Sequence, residues 1–194
     1  MKLDFLINLI VLLFTLFCFV RCFRPEGFWD AAQGRRSLRF FTILSNLFSA
    51  FASLCVLLTL RETGLPYGVW LLRYVASAAV TVTFLTVMVF LGPTVGYKSQ
   101  LEGSGLFFHL SGPLLALLSF CFLERWYTLR FTVSLLGILP VLLYGLVYYH
   151  RVVTTGKWED FYGFNRGGKW PISFAGMMIE AFLVCMLIRL LCSL

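Results

Sequence analysis

Thr42, His109 and Asn46 are the residues of this chain whose types and placement suit acyl-transfer chemistry. A hydroxyl beside a neutral imidazole is the minimum for nucleophilic attack on an ester: the imidazole takes the hydroxyl proton, and the developing oxyanion needs hydrogen-bond donors nearby. In RFFTILSNLFSAFASL, Thr42, Asn46, Ser49 and Ser53 follow i, i+4, i+7 and i+11, so they share one helical face, with Ser45 beside it. Asn46, one turn from Thr42, is a candidate oxyanion donor. The plainer reading of the stripe is helix packing, because small polar residues let helices approach and hydrogen-bond across an interface.

Only two histidines occur, His109 and His150. Glu180 is read as the only acid deep in a membrane span, roughly 13 Å in at about 1.5 Å per residue. Its functional reading is an orienter for His109 or a proton carrier; its structural reading is a protonated or arginine-paired packing residue. Arg73 is expected to snorkel to headgroups.

A metal centre is not expected. Zinc takes three or four close His, Cys or carboxylate ligands, and His109, His150, Glu159 and Asp160 are the only candidates grouped near one interface. A bis-histidine haem site on His109 and His150 has no further cue, so no cofactor is expected either.

The elements that must hold these residues are membrane helices. Of 194 residues, 60% are hydrophobic and 13% charged, and the apolar residues come in long runs, which argues against a soluble domain. A span needs about 20 mostly apolar residues, and six runs qualify: roughly 3–21, 38–60, 69–91, 105–123, 129–149 and 171–192. Runs such as LLFTLFCFV lack the apolar–polar alternation of a membrane β-barrel. The expected fold is therefore an all-α, polytopic integral membrane bundle of six transmembrane helices, forming a single domain over 1–194.

The first run follows Lys2 and Asp4 and precedes Arg21, Cys22 and Phe23 with no small-x-small cleavage site, so it reads as a retained helix. Five of the six cysteines fall inside predicted helices without a CxxC pair and read as free thiols. Pro113 and Pro140 interrupt the fourth and fifth helices and free carbonyls there.

Of the sixteen Lys and Arg residues, ten fall on the side of the first, third and fifth loops and six on the side of the termini. The positive-inside bias places the odd-numbered loops in the cytoplasm and both termini outside. The net charge of +7 is juxtamembrane, where anionic headgroups account for it and no nucleic-acid partner is needed. The two long loops, 22–37 and 150–170, lie on one side. Thr42 and His109 both fall roughly 5 Å below that same interface, so they can meet.

Three segments, taken together, resemble the androgen-induced FAR-17a/AIG1-like family of membrane proteins and its bacterial relatives of the Pr6Pr type. They are FFTILSN at 40–46, FFHLSGPLLALLSFCFLE at 107–124, and LPVLLYGLVYYHRVVTTGKWEDFYGF at 139–164, where Tyr144 follows Pro140 by four residues. The resemblance runs the length of the chain, with Thr42 and His109 the sharp matches. It implies a threonine hydrolase of fatty-acid esters with Thr42 as nucleophile and His109 as base. Ser45, Asn46, Tyr144 and Glu180 are the candidate oxyanion or polar support around that pair. Two departures stand out. Gly105 and Leu106 replace a second histidine, and WEDFYGF replaces a proline-rich aromatic loop.

The expected function is intramembrane lipid ester hydrolysis, with membrane lipids or fatty-acyl esters as partners. An acyltransferase using the same pair is one alternative. Another is a lipid or small-molecule carrier in which the helix-two stripe lines a passage and Glu180 binds a proton or cation, although no repeat of the kind common in transporters is detectable.

Overall fold

The computed structural model describes residues 2–25 and 27–194. Six of its helices are long and apolar enough to cross a bilayer: α1 (Lys2–Cys22), α2 (Phe41–Thr59), α3 (Tyr67–Val95), α4 (Ser104–Phe122), α5 (Phe131–Thr154) and α6 (Trp170–Ser193). Each lies within five residues of an apolar run at both ends. No strand occurs among the described residues. In lipid every backbone polar group must find a partner within the protein, and helices meet that demand locally.

α3 is the central element, packed against α2, α4, α5 and α6. Its middle, Ala76-Ser77-Ala78-Ala79-Val80, is fully buried, and such small side chains let neighbouring backbones approach. Gly137 of α5 does the same from the other side. A Cβ there would sit 2.7 Å from Cys185 Sγ, 2.8 Å from Tyr74 Oη and 2.9 Å from Ala78 Cβ, so α3, α5 and α6 meet only because that side chain is missing.

Three helices loosen at the loop-rich end. π-helical turns occupy Thr86–Leu91 in α3, Phe107–Ser111 in α4 and Tyr149–Thr154 in α5. Such turns accommodate an extra residue and recur at functional sites. The turn in α4 runs directly into Gly112-Pro113, and a 3₁₀ turn at Leu135–Ile138 precedes Pro140 in α5. Both prolines thus mark changes in helical pitch, as their missing N–H groups dictate.

The 22–37 connection holds a short helix, Ala31–Ser37, capped by Asp30, whose Oδ1 accepts from the Ala32 and Gln33 N–H groups at 2.8 and 2.9 Å. The 155–169 connection folds back over the bundle. Tyr148 Oη donates to Asp160 Oδ1 at 2.7 Å, Asp160 Oδ2 accepts from Asn165 N at 3.0 Å, and Tyr148 packs among Phe161, Tyr162, Phe164 and Trp170.

Arg73 does not snorkel. Its side chain and that of Glu124 are both 0% exposed, with Arg73 Nε 3.2 Å from each Glu124 carboxylate oxygen. A carboxylate on the adjacent chain segment at the same depth makes pairing better than stretching towards water. A second acid is buried at the end of a span: Asp4, in the first turn of α1, is 2% exposed. A polar partner at i+4 tolerates it there, since Asn8 Nδ2 donates to Asp4 Oδ1 at 2.9 Å and to Glu124 Oε1 at 3.1 Å.

Candidate active site

Thr42 lies in the first turn of α2 on the wall of a narrow apolar cavity of about 40 Å³, lined also by Thr83, Thr86, Tyr144, Tyr162 and Phe164. That is room for a few water molecules at most. Two larger crevices flank it. One, of about 310 Å³, shares Phe41 and Tyr144 with the cavity and runs along α2 and α5 past Leu44, Leu143 and Val147. The other, of about 220 Å³, shares Thr86, Phe164 and Met177 and lies between α3 and α6 against Glu180. Leu143 and Val147 are 61% and 47% exposed, on a surface that lipid would cover.

The folded-back loop builds the roof. Tyr162 Oη accepts the Phe41 N–H at 3.0 Å, satisfying one of the unpaired donors at the α2 N-terminus. The same phenol sits beside the Thr42 and Tyr144 hydroxyls, and burial pushes its pKa up to about 12, so it stays protonated at any physiological pH. Tyr144 Oη donates to the Arg39 carbonyl at 2.7 Å. Its only hydroxyl proton is thereby committed, and Tyr144 contributes its ring to the cavity wall.

The helix-two stripe is buried throughout: Thr42 is 9% exposed, Asn46 2%, Ser49 1% and Ser53 0%. Asn46 spends its amide on backbone, with Nδ2 donating to the Thr42 carbonyl at 2.8 Å and to the Phe108 carbonyl at 3.0 Å. Both of its N–H hydrogens are used, so it ties α2 to the π-helical turn of α4 and is not a free oxyanion donor. Ser45 Oγ meets Thr83 Oγ1 at 2.8 Å and donates to the Thr42 carbonyl at 3.1 Å, fastening α2 to α3. Ser49 accepts from Arg73 Nη1 at 3.3 Å.

His109 sits in that π-helical turn, half-buried. Its Nδ1 lies 2.6 Å from the Gln100 carbonyl. A carbonyl only accepts, so Nδ1 carries the hydrogen and Nε2 keeps the basic lone pair. Gly105 makes this contact possible, because a Cβ there would collide with the Gln100 carbonyl oxygen.

Among the described residues no hydrogen bond joins Thr42 to His109, and His109 is not part of the cavity wall around Thr42. The two residues are connected through Asn46, which holds the carbonyl of Thr42 and that of the residue preceding His109. Glu180 does not orient His109. Its carboxylate accepts from Thr86 Oγ1 at 3.1 and 3.0 Å, and the Gln100 carbonyl takes the orienting role. A main-chain oxygen from a connecting segment leaves no sequence signature, whereas Glu180 was conspicuous as an acid in an apolar run. His150 is exposed, and no group of three or more metal-ligating side chains occurs among the described residues.

Tyr162, Thr83 and Thr86 join the site without having been singled out in the sequence. Thr83 and Thr86 are spaced i, i+3 on an otherwise apolar helix, a signal of the kind used for helix two. Tyr162 reaches Phe41 across 121 residues of sequence, which no local pattern encodes.

No family model, no curated protein and no solved structure matches this chain.

Proposed function

We propose that this protein is an intramembrane lipid ester hydrolase with Thr42 as nucleophile and His109 as general base. The observation that carries the reading is the position of Thr42: its side chain lines an apolar cavity at the loop-rich end of the bundle, flanked by two crevices along lipid-facing helices. The ester groups of lipids reside at that depth, and an acyl chain bound in either crevice would bring its carbonyl to this hydroxyl. The resemblance of the segments around Thr42, His109 and Tyr144 to the androgen-induced family supports the same assignment.

In the proposed reaction Thr42 Oγ attacks the ester carbonyl carbon while His109 Nε2 accepts the hydroxyl proton. The ester C–O bond breaks, the departing alkoxide takes that proton from His109, and the acyl group remains on Thr42. Water, deprotonated by the same imidazole, then releases the fatty acid and regenerates the hydroxyl. An alcohol in place of water would make the reaction an acyl transfer. The reading requires the imidazole and Thr42 to come within hydrogen-bond reach in the substrate complex, since catalytic contacts tighten when substrate is bound. The odd-numbered loops are proposed to be cytoplasmic, with the site at that face.

The carrier reading draws less support. The stripe meant to line its passage is spent on helix contacts: Ser45 bonds Thr83, Asn46 bonds Phe108, and Ser49 bonds Arg73.

The test is covalent labelling of the purified protein by a long-chain fluorophosphonate, combined with release of fatty acid from a fluorogenic acyl ester. Labelling and turnover should vanish in Thr42→Ala and fall by at least 100-fold in His109→Ala, while Thr42→Ser keeps both. Labelling that survives both alanine substitutions would remove the mechanism.

A further inference from the structure

At the opposite end of the bundle from Thr42 lies a closed polar network that the hydrolase reading does not use. Glu124, just past α4, is its hub. The carboxylate accepts from Arg73 Nε at 3.2 Å, from Ser119 Oγ at 2.7 Å and from Asn8 Nδ2 at 3.1 Å, and the Glu124 carbonyl accepts from Trp70 Nε1 at 2.9 Å. Asn8 extends the network to Asp4, bonding both its Oδ1 and its carbonyl. α2 contributes the neutral Ser49 to Arg73. Asp4, Asn8, Arg73, Ser119 and Glu124 are each at most 2% exposed.

The charges in this network do not balance. Arg73 cancels Glu124, which leaves Asp4 as a second carboxylate with one amide donor. Among the described residues its Oδ2 is buried without any hydrogen-bond partner, and so are Asn8 Oδ1 and Arg73 Nη2. Glu124 and Arg73 are the charged side chains acting on Asp4. A buried carboxylate lacking a hydrogen-bonded counter-charge is strongly disfavoured, and binding a proton is the simplest way to remove its charge.

A polar vestibule of about 450 Å³ opens on this face, lined by Trp70, Glu124, Arg125, Thr128, Arg189 and Ser193. Trp70 and Glu124 border both the vestibule and the network, at 1% and 0% exposure, so the vestibule ends against the buried hub.

We propose that the Asp4–Asn8–Glu124–Arg73 network is a proton-binding site that holds one exchangeable proton, carried on Asp4 Oδ2 and exchanged with the vestibule by way of Glu124. Uptake forms one O–H bond at Asp4 and breaks one in a hydronium ion of the vestibule, and no other atom changes partner. With the proton bound, the network is neutral: Arg73 and Glu124 are ionised and Asp4 is not. Loss of the proton leaves a buried charge without a hydrogen-bonded counter-charge, so the fold is most stable with the proton bound and loses stability as rising pH removes it.

Infrared difference spectroscopy tests this directly. In a Glu180→Gln background, which removes the other carboxyl within a membrane span, the protein in lipid nanodiscs should show a protonated-carboxyl C=O band. That band should fade reversibly on alkalinisation and disappear in Asp4→Asn. Thermal midpoints, which report the site even if the spectrum is crowded, should fall with rising pH in the parent and change much less in Asp4→Asn. A parent without the band, or a band and a pH slope that persist in Asp4→Asn, would overturn the proposal. So would a thermal midpoint raised by sodium over choline chloride and levelled by Asp4→Asn, because the site would then take an alkali cation.

Discussion

Arg73 and Glu124 form a salt bridge with Nε 3.2 Å from both carboxylate oxygens and no exposed surface on either side chain. Desolvation makes such a pair expensive to assemble, and leaving one member alone is worse than having neither. Arg73→Ala or Glu124→Ala alone should therefore destabilise the fold by about 3–5 kcal/mol. The double change Arg73→Met/Glu124→Leu should cost far less than the sum. Unfolding of the purified variants in mixed micelles measures this as a double-mutant cycle, and additive costs would show that the two groups do not act as a pair.

The six helices were legible in the sequence because bilayer thickness imposes a length and a composition that nothing else in the chain imitates. The buried face of α2 was legible for a related reason, since polar residues at helical spacing in a membrane must point inward. The pairing of Arg73 is not legible because its partner comes from a different chain segment, 51 residues away. Asn46 was placed correctly at the Thr42 level but given the wrong work. Sequence spacing reports which face a side chain occupies and says nothing of which acceptors wait there, and here two carbonyls take both amide hydrogens. The same limit hides the Gln100 carbonyl, which takes the orienting role that was one of the readings open to Glu180.

Asn46 should consequently behave as a clamp between α2 and α4. Asn46→Leu preserves bulk and apolar fit but abandons the Phe108 carbonyl, with an expected cost of about 1–3 kcal/mol. Hydrogen exchange should rise at the backbone amides of the Phe107–Ser111 turn more than in the middle of α4. Uniform loosening along α4 would contradict the clamp.

Tyr162 holds the returning loop to the first turn of α2 through the Phe41 N–H. Tyr162→Phe should cost about 1 kcal/mol by leaving that amide without its acceptor. A pH signature accompanies it. The folded phenol is pushed up to about 12 by burial, while in the unfolded chain it ionises near 10. Below about 10 both states are neutral and the phenol adds no pH dependence; above it only the unfolded state loses a proton, so stability falls. Tyr162→Phe should flatten part of that alkaline loss in equilibrium unfolding curves. An unchanged slope would mean the phenol ionises alike in both states.

Gly105 controls the tautomer of His109. The Gln100 carbonyl 2.6 Å from Nδ1 fixes the hydrogen there and keeps Nε2 basic, and a Cβ at position 105 would displace that carbonyl. Gly105→Ala should therefore release the ring, because the new Cβ collides with the Gln100 carbonyl and meets His109 Nδ1 only at van der Waals distance, 3.6 Å. In ¹⁵N spectra of histidine-labelled protein, His109 should pass from a single Nδ1–H form to a mixture of tautomers, with His150 unchanged. If His109 is the base for Thr42, ester turnover should fall roughly 10-fold or more as the population with a free Nε2 lone pair declines and the ring loses its orientation. A variant with mixed tautomers and full turnover would separate the imidazole from the chemistry and leave Thr42 in need of another base.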